Sequence, residues 1–160
     1  MNLTFTSANT SQDNYYEAIS TFHASLPPLV DAGGMSVWYF TNESFAISPI
    51  TGPGITVPEL KQFLAPLMDK LDQLGIQYTS YFGQFSGYLD EYNAMQGPID
   101  VGIAQYGGRL IPRSLVENNN TALTEAYRFI NNNGGQFIGV GVNVSKAVAG
   151  DVYNSVRLNF

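Results

Sequence analysis

Met35-Ser-Val-Trp-Tyr-Phe-Thr41, followed by Asn42-Glu43 and then Ser44-Phe-Ala-Ile-Ser48, reads as two strands and a short connection. Aromatic and β-branched residues suit a pleated, half-buried surface, and two such runs separated by two polar residues imply a hairpin. The favoured Asn-Gly pair is absent, which leaves the turn type open. A hairpin makes its two strands antiparallel, and the rest of the chain has to be arranged around that pair.

Toward the N-terminus, Gly33-Gly34 leads into the hairpin and Pro27-Pro28 is expected to end a preceding helix near Leu26. Asp13 or Ser11 caps that helix, and Tyr15, Ala18, Ile19 and Phe22 form its apolar stripe. His23 falls near the last turn, where a surface histidine is the expected reading. Leu3 and Phe5 alternate in an opening strand.

Toward the C-terminus, Thr51 to Gly54 is loop. Thr56-Val-Pro-Glu59 has the layout of a capping box with proline in the first turn. Leu60, Leu64, Leu67, Leu71 and Leu74 follow at helical spacing, Pro66 is expected to kink the helix, and Gly75 closes it. Ile76 to Phe82 is a further strand with Gln77, Thr79 and Tyr81 on one face. Ser86 to Met95 is a short helix that carries Asp90-Glu91, adjacent carboxylates expected on a solvated face. Val101 to Arg113 reads as a strand placing Gln105, Gly107 and Arg109 on one side, a layout with room beside two hydrogen-bonding heads. A helix from Asn118 to about Ile130 and a strand from Gln136 to Val144 complete the order. The expected fold is α+β: one domain over residues 1–160, with a largely antiparallel sheet of about six strands and helices packed on one face. Tyr39, Thr79, Tyr81, Gln105 and Arg109 then share the other face, which has to meet solvent, a ligand or another domain.

Composition limits what that face can do. With 44% hydrophobic and 12% charged residues, the chain builds a packed core. The formal charge is −6 and the seven Lys and Arg residues are scattered, so nucleic acid is not an expected partner. No apolar run approaches the roughly 18 residues of a membrane helix, and no membrane partner is expected. Zero cysteines and one histidine exclude disulfides, thiolate nucleophiles and a histidine-based metal cluster. Sequons begin at Asn2, Asn9, Asn42, Asn119 and Asn143, a dense set that points to the secretory route. No signal peptide opens the chain, and a start inside a strand suggests a piece of something longer. Glycine-rich phosphate loops, nucleophile elbows and zinc-protease motifs are missing, and no complete catalytic constellation assembles.

Asp31-Ala-Gly-Gly-Met-Ser-Val-Trp-Tyr-Phe40, Gln105-Tyr-Gly-Gly-Arg-Leu-Ile-Pro-Arg-Ser114 and Asn143-Val-Ser-Lys-Ala-Val-Ala-Gly150 together resemble fungal FAD-linked oxidases. These are berberine-bridge-enzyme-like members of the vanillyl-alcohol-oxidase superfamily. The resemblance runs in order over nearly the whole chain and covers the substrate-binding domain, ending before its final strands. It implies that the open sheet face roofs the flavin ring and holds a small organic substrate: an alcohol, amine, sugar or polyketide intermediate. It implies FAD as cofactor, oxygen as acceptor, and an FAD-binding domain or chain as partner. Gln105 and Arg109 become pocket residues, and Tyr39, Thr79 and Tyr81 its walls. Covalent flavin attachment does not carry over, since there is no cysteine and His23 sits in no tethering motif. Two alternatives remain: a stand-alone ligand-binding protein or cofactor-free isomerase or cyclase, and a fragment that self-associates through its open face.

Overall fold

A computed structural model describes residues 1–96, 107–145 and 147. The elements run β1 (Asn2–Thr6), α1 (Gln12–Asp31), β2 (Met35–Phe40), β3 (Ser44–Thr51), α2 (Val57–Gln73), β4 (Tyr78–Tyr81), α3 (Tyr88–Met95), α4 (Arg113–Asn118), α5 (Asn120–Asn132) and β5 (Phe137–Gly141). The β2–β3 hairpin forms as expected, and β3 continues past Ser48 to Thr51. Within it, Thr41 N donates to Ser44 O while the Thr41 hydroxyl accepts from the backbone of Glu43 and Ser44.

All pairings among the described strands are antiparallel, in the order β4-β1-β3-β2-β5. Among the described residues the sheet has five strands, where about six were expected. Residues 101–106 of the expected Val101–Arg113 strand lie outside the described residues, and 107–112 form no strand. Among the described strands the central one is β3, which pairs with β1 and β2.

One sheet face is sealed by α1, α2 and α5. Leu3, Phe5, Phe45, Ile47, Trp38 and Phe40 point into this layer and meet Phe22 from α1 and the leucines of α2. Phe5 stacks on Phe45 at 4.8 Å between centroids, and Phe22 meets Phe45 and Trp38 edge-on at 5.1 and 5.2 Å. Such edge-to-face pairs suit the ring quadrupole. The α2 capping box is present on both sides, Thr56 with Glu59, and Gly75 follows with φ +65, a left-handed position where side chains strain. The helix runs on through Pro66.

Helix α1 departs from expectation. Ser11 caps it, accepting from Asn14 N, but it continues through Pro27-Pro28 to Asp31. Two prolines each remove an amide donor, yet Leu29 on the added turn is fully buried, and that burial offsets the lost bonds. Lengthening the helix also moves His23 from its end to its middle. His23 is only 2% exposed, ringed by Phe22, Trp38, Phe40 and Tyr127 at 5.3–6.1 Å. It is a core residue, not a surface one.

Strand β5 joins the sheet by a close approach. Gly139 pairs with Trp38, and a Cβ built on it would overlap the indole ring. Gly139→Ala is therefore expected to cost about 1–3 kcal/mol of stability through overpacking. Urea unfolding measures this; an unchanged midpoint would mean β5 is not seated on Trp38.

Candidate functional site

Strand alternation determines which side chains reach the uncovered face. The register places Ile138, Tyr39, Ala46, Thr4 and Thr79 in one row across β5, β2, β3, β1 and β4. With about 4.8 Å between strands, the row spans about 19 Å. A second row, two residues along, includes Val140 opposite Val37, and Asn2 opposite Tyr81. The β5–β2 half is apolar and aromatic; the β1–β4 half carries hydroxyls and amides. Thr4 and Thr79 hydroxyls lie 2.7 Å apart. The positions that the described strands present on this face carry no charged side chain.

The expected wall residues are thus on one face, on opposite sides of the central strand β3. Tyr39 is 39% exposed and Tyr81 is 56% exposed. Tyr39 and Thr79 are three strands apart, about 14 Å, so a small molecule touching both has to lie across the sheet. Between them the central strand presents only Ser44, Ala46 and Ser48, which makes the middle of the face its lowest part. Ala46 was missed, although its place between Phe45 and Ile47 was a signal. Gln105 lies outside the described residues. Arg109 is exposed in the irregular 107–112 segment, off any described strand.

One corner of the face is covered. Asn2 Nδ2 donates to Met95 O at 3.0 Å, and Thr51 Oγ1 donates to Glu91 Oε1 at 2.8 Å, which holds α3 over the end of the sheet. Glu91 is 8% exposed, so it does not lie on a solvated face as expected; α3 is anchored through it. Asp90 remains outside, accepting from Ser86.

Among the described residues the open face is a wall, not an enclosed pocket. The marked concavities of the described surface are shallow and lie in the helix layer. One borders Pro27, Pro28, Asp31 and Arg113, where Arg113 pairs with Asp31 and Glu117. The Arg113 guanidinium holds the Asp31 carboxyl below the usual carboxylate range. The other runs along α1 and α5, where Arg128 pairs with Asp13 at 2.7 Å and lies over Tyr16. Among the described residues there is no cluster of three or more His, Asp or Glu that could hold a metal, and no helix is long and apolar enough to cross a membrane.

The donor set also decides what the chain can do with FAD. A pyrophosphate needs backbone amides at a glycine-rich turn or a cationic clamp. The open face offers neither among the described residues, so it does not fit the phosphate half of the cofactor. The described part of that face is uncharged and partly aromatic, chemistry that fits an apolar ring better than a phosphate.

No protein-family profile matches the chain. It is 40% identical over 157 residues to the FAD-linked oxidoreductase patO of Aspergillus clavatus, an alignment covering 96% of this chain and 27% of that protein. It is 33% identical to the FAD-linked oxidoreductase sor8 of Hypocrea jecorina, over 92% of this chain and 25% of that one. The crystal structure of the VAO-type flavoprotein MtVAO615 from Myceliophthora thermophila superposes with a TM-score of 0.78 at 28% identity, covering 90% of this chain and 28% of that chain. The chain spans about a quarter of the length of these relatives. These matches agree on one point: the chain is homologous to a quarter-length segment of fungal FAD-linked oxidoreductases and of a VAO-type flavoprotein.

Proposed function

We propose that this chain is the substrate-binding part of an FAD-dependent oxidoreductase that oxidises a small organic molecule with oxygen as electron acceptor. An FAD-binding domain, supplied by the remaining three quarters of a full-length relative's span, faces the open sheet. The observation that carries the reading is the cross-sheet row, with a low, small-residue floor at Ala46 between Tyr39 and the Thr4–Thr79 hydroxyls.

When bound, FAD accepts a hydride from a substrate carbon that bears oxygen or nitrogen. This chain's own residues position that substrate. Tyr39 and Ile138 supply an apolar flank that excludes water from the reacting carbon. Thr79 and Tyr81 on the other flank supply hydroxyls that orient the substrate's polar groups, and Gln105 and Arg109 are further contacts in this reading. The substrate class is an alcohol, amine, sugar or polyketide intermediate. The sequon density supports a route through the secretory pathway, with the sugars carried outside the substrate face.

Ala46→Phe in the longer, flavin-containing protein tests the reading. A ring on the floor occupies the space the substrate needs, so KM is expected to rise about tenfold or more, with a melting temperature close to the parent's. A KM within a factor of two of the parent's would remove the open face from substrate binding.

A further inference from the structure

Five sequons are spread along the chain, and the fold treats four of them, those at Asn2, Asn9, Asn42 and Asn119, in two ways. Asn2 lies within β1, on the open face, and its Nδ2 is committed: it donates to Met95 O at 3.0 Å and ties α3 to the sheet. Its Oδ1 is buried. A sugar on Nδ2 would have to occupy the space between α3 and β1.

Asn9, Asn42 and Asn119 are in a different position. Asn9 is exposed in the turn between β1 and α1. Asn42 sits in the β2–β3 turn, its backbone carbonyl pinned by Ser7 Oγ at 3.1 Å and Gln12 Nε2 at 3.0 Å, and among the described residues its side chain makes no hydrogen bond. Asn119 is exposed at the junction of α4 and α5, its backbone N–H and carbonyl both used by neighbouring turns. The first two share the end of the sheet where Thr6 pairs with Ser44, away from α3. The third lies in the helix layer. None is on the uncovered face.

We infer that the folded chain carries N-linked glycans at Asn9, Asn42 and Asn119 and none at Asn2, so that the sugars mark the permanently solvated rim and helix layer and leave the open sheet face bare. The inference rests on the secretory route proposed above. In the transfer, Nδ2 bonds to the anomeric carbon of an oligosaccharide delivered on a lipid pyrophosphate. The sugar–pyrophosphate bond breaks, the lipid pyrophosphate leaves, and one Nδ2 proton is lost.

The test is site-resolved mass spectrometry after deglycosylation in ¹⁸O-water, on the chain and on the longer protein, each secreted from a yeast behind a supplied leader and a flexible spacer before Met1. The host supplies the route, so the result reports on the fold; localisation in the native fungus tests the route separately. Glycans are expected at Asn9, Asn42 and Asn119 of the secreted material. Asn2 is expected to be occupied about tenfold less often there than in chains retained in the cell, because a modified Asn2 cannot donate to Met95. Asn2→Gln should leave the glycans at Asn9, Asn42 and Asn119 in place. Secreted, folded chains modified at Asn2 would overturn the inference, and so would secreted chains bare at Asn9, Asn42 and Asn119.

Discussion

Phe22→Ala is expected to lower stability by about 3–5 kcal/mol, a large share of the 5–15 kcal/mol typical of a domain. Phe22 is fully buried and stands where α1 meets the sheet. It touches Trp38 on β2, Phe45 on β3 and the neighbouring His23 ring, so its removal opens a cavity bordered by rigid aromatics that cannot close in to fill it. Equilibrium urea unfolding gives the number. A loss under about 1 kcal/mol would mean that the aromatic cluster is not the junction of the helix layer and the sheet.

Acid is expected to unfold the protein through His23. Burial pushes its pKa from 6.5 down to about 3, and neither ring nitrogen has a hydrogen-bond partner among the described residues. The neighbouring rings offer no counter-charge: Phe22, Trp38 and Phe40 do not titrate, and burial raises the pKa of Tyr127, which keeps that phenol neutral. The folded state therefore keeps the imidazole neutral while the unfolded chain takes a proton. Between about pH 6.5 and 3 the unfolded state binds more protons, so stability falls as pH drops, by up to about 1.4 kcal/mol per pH unit. Asp31 also loses its stabilised charge in acid, but at lower pH and on the exposed surface. His23→Leu should flatten the slope between pH 6 and 4 and leave stability at pH 8 near the parent's or above it. An unchanged slope would show that His23 is not the group that titrates.

Much of this fold was legible locally. The hairpin, the Thr56–Glu59 box and the leucine stripe of α2 depend on neighbours within a few residues. The open-face positions of Tyr39, Thr79 and Tyr81 follow from alternation alone. What local patterns do not carry is the competition between distant contacts and backbone rules. Pro27-Pro28 signals a helix end, yet burying Leu29 favours one more turn. His23 had a readable signal that the proline rule overrode: it stands four residues from Ile19, on the same stripe. Glu91 looked solvated because its partner, Thr51, is 40 residues away. The strand order β4-β1-β3-β2-β5 is likewise set by long-range pairing, and it puts the small residues of β3 at the centre of the candidate site.

The central claim is that the uncovered sheet face is buried against the flavin-binding domain and its substrate. Hydroxyl-radical footprinting of this chain alone and within the longer protein tests it directly. Tyr39, Tyr81, Ile138 and Val140 are accessible in the chain alone, as is Phe129, 71% exposed on α5 in the helix layer. In the longer protein the four open-face residues should lose most of their oxidation while Phe129 keeps its rate. Equal oxidation of Tyr39 and Ile138 in both, or protection confined to Phe129, would contradict the account.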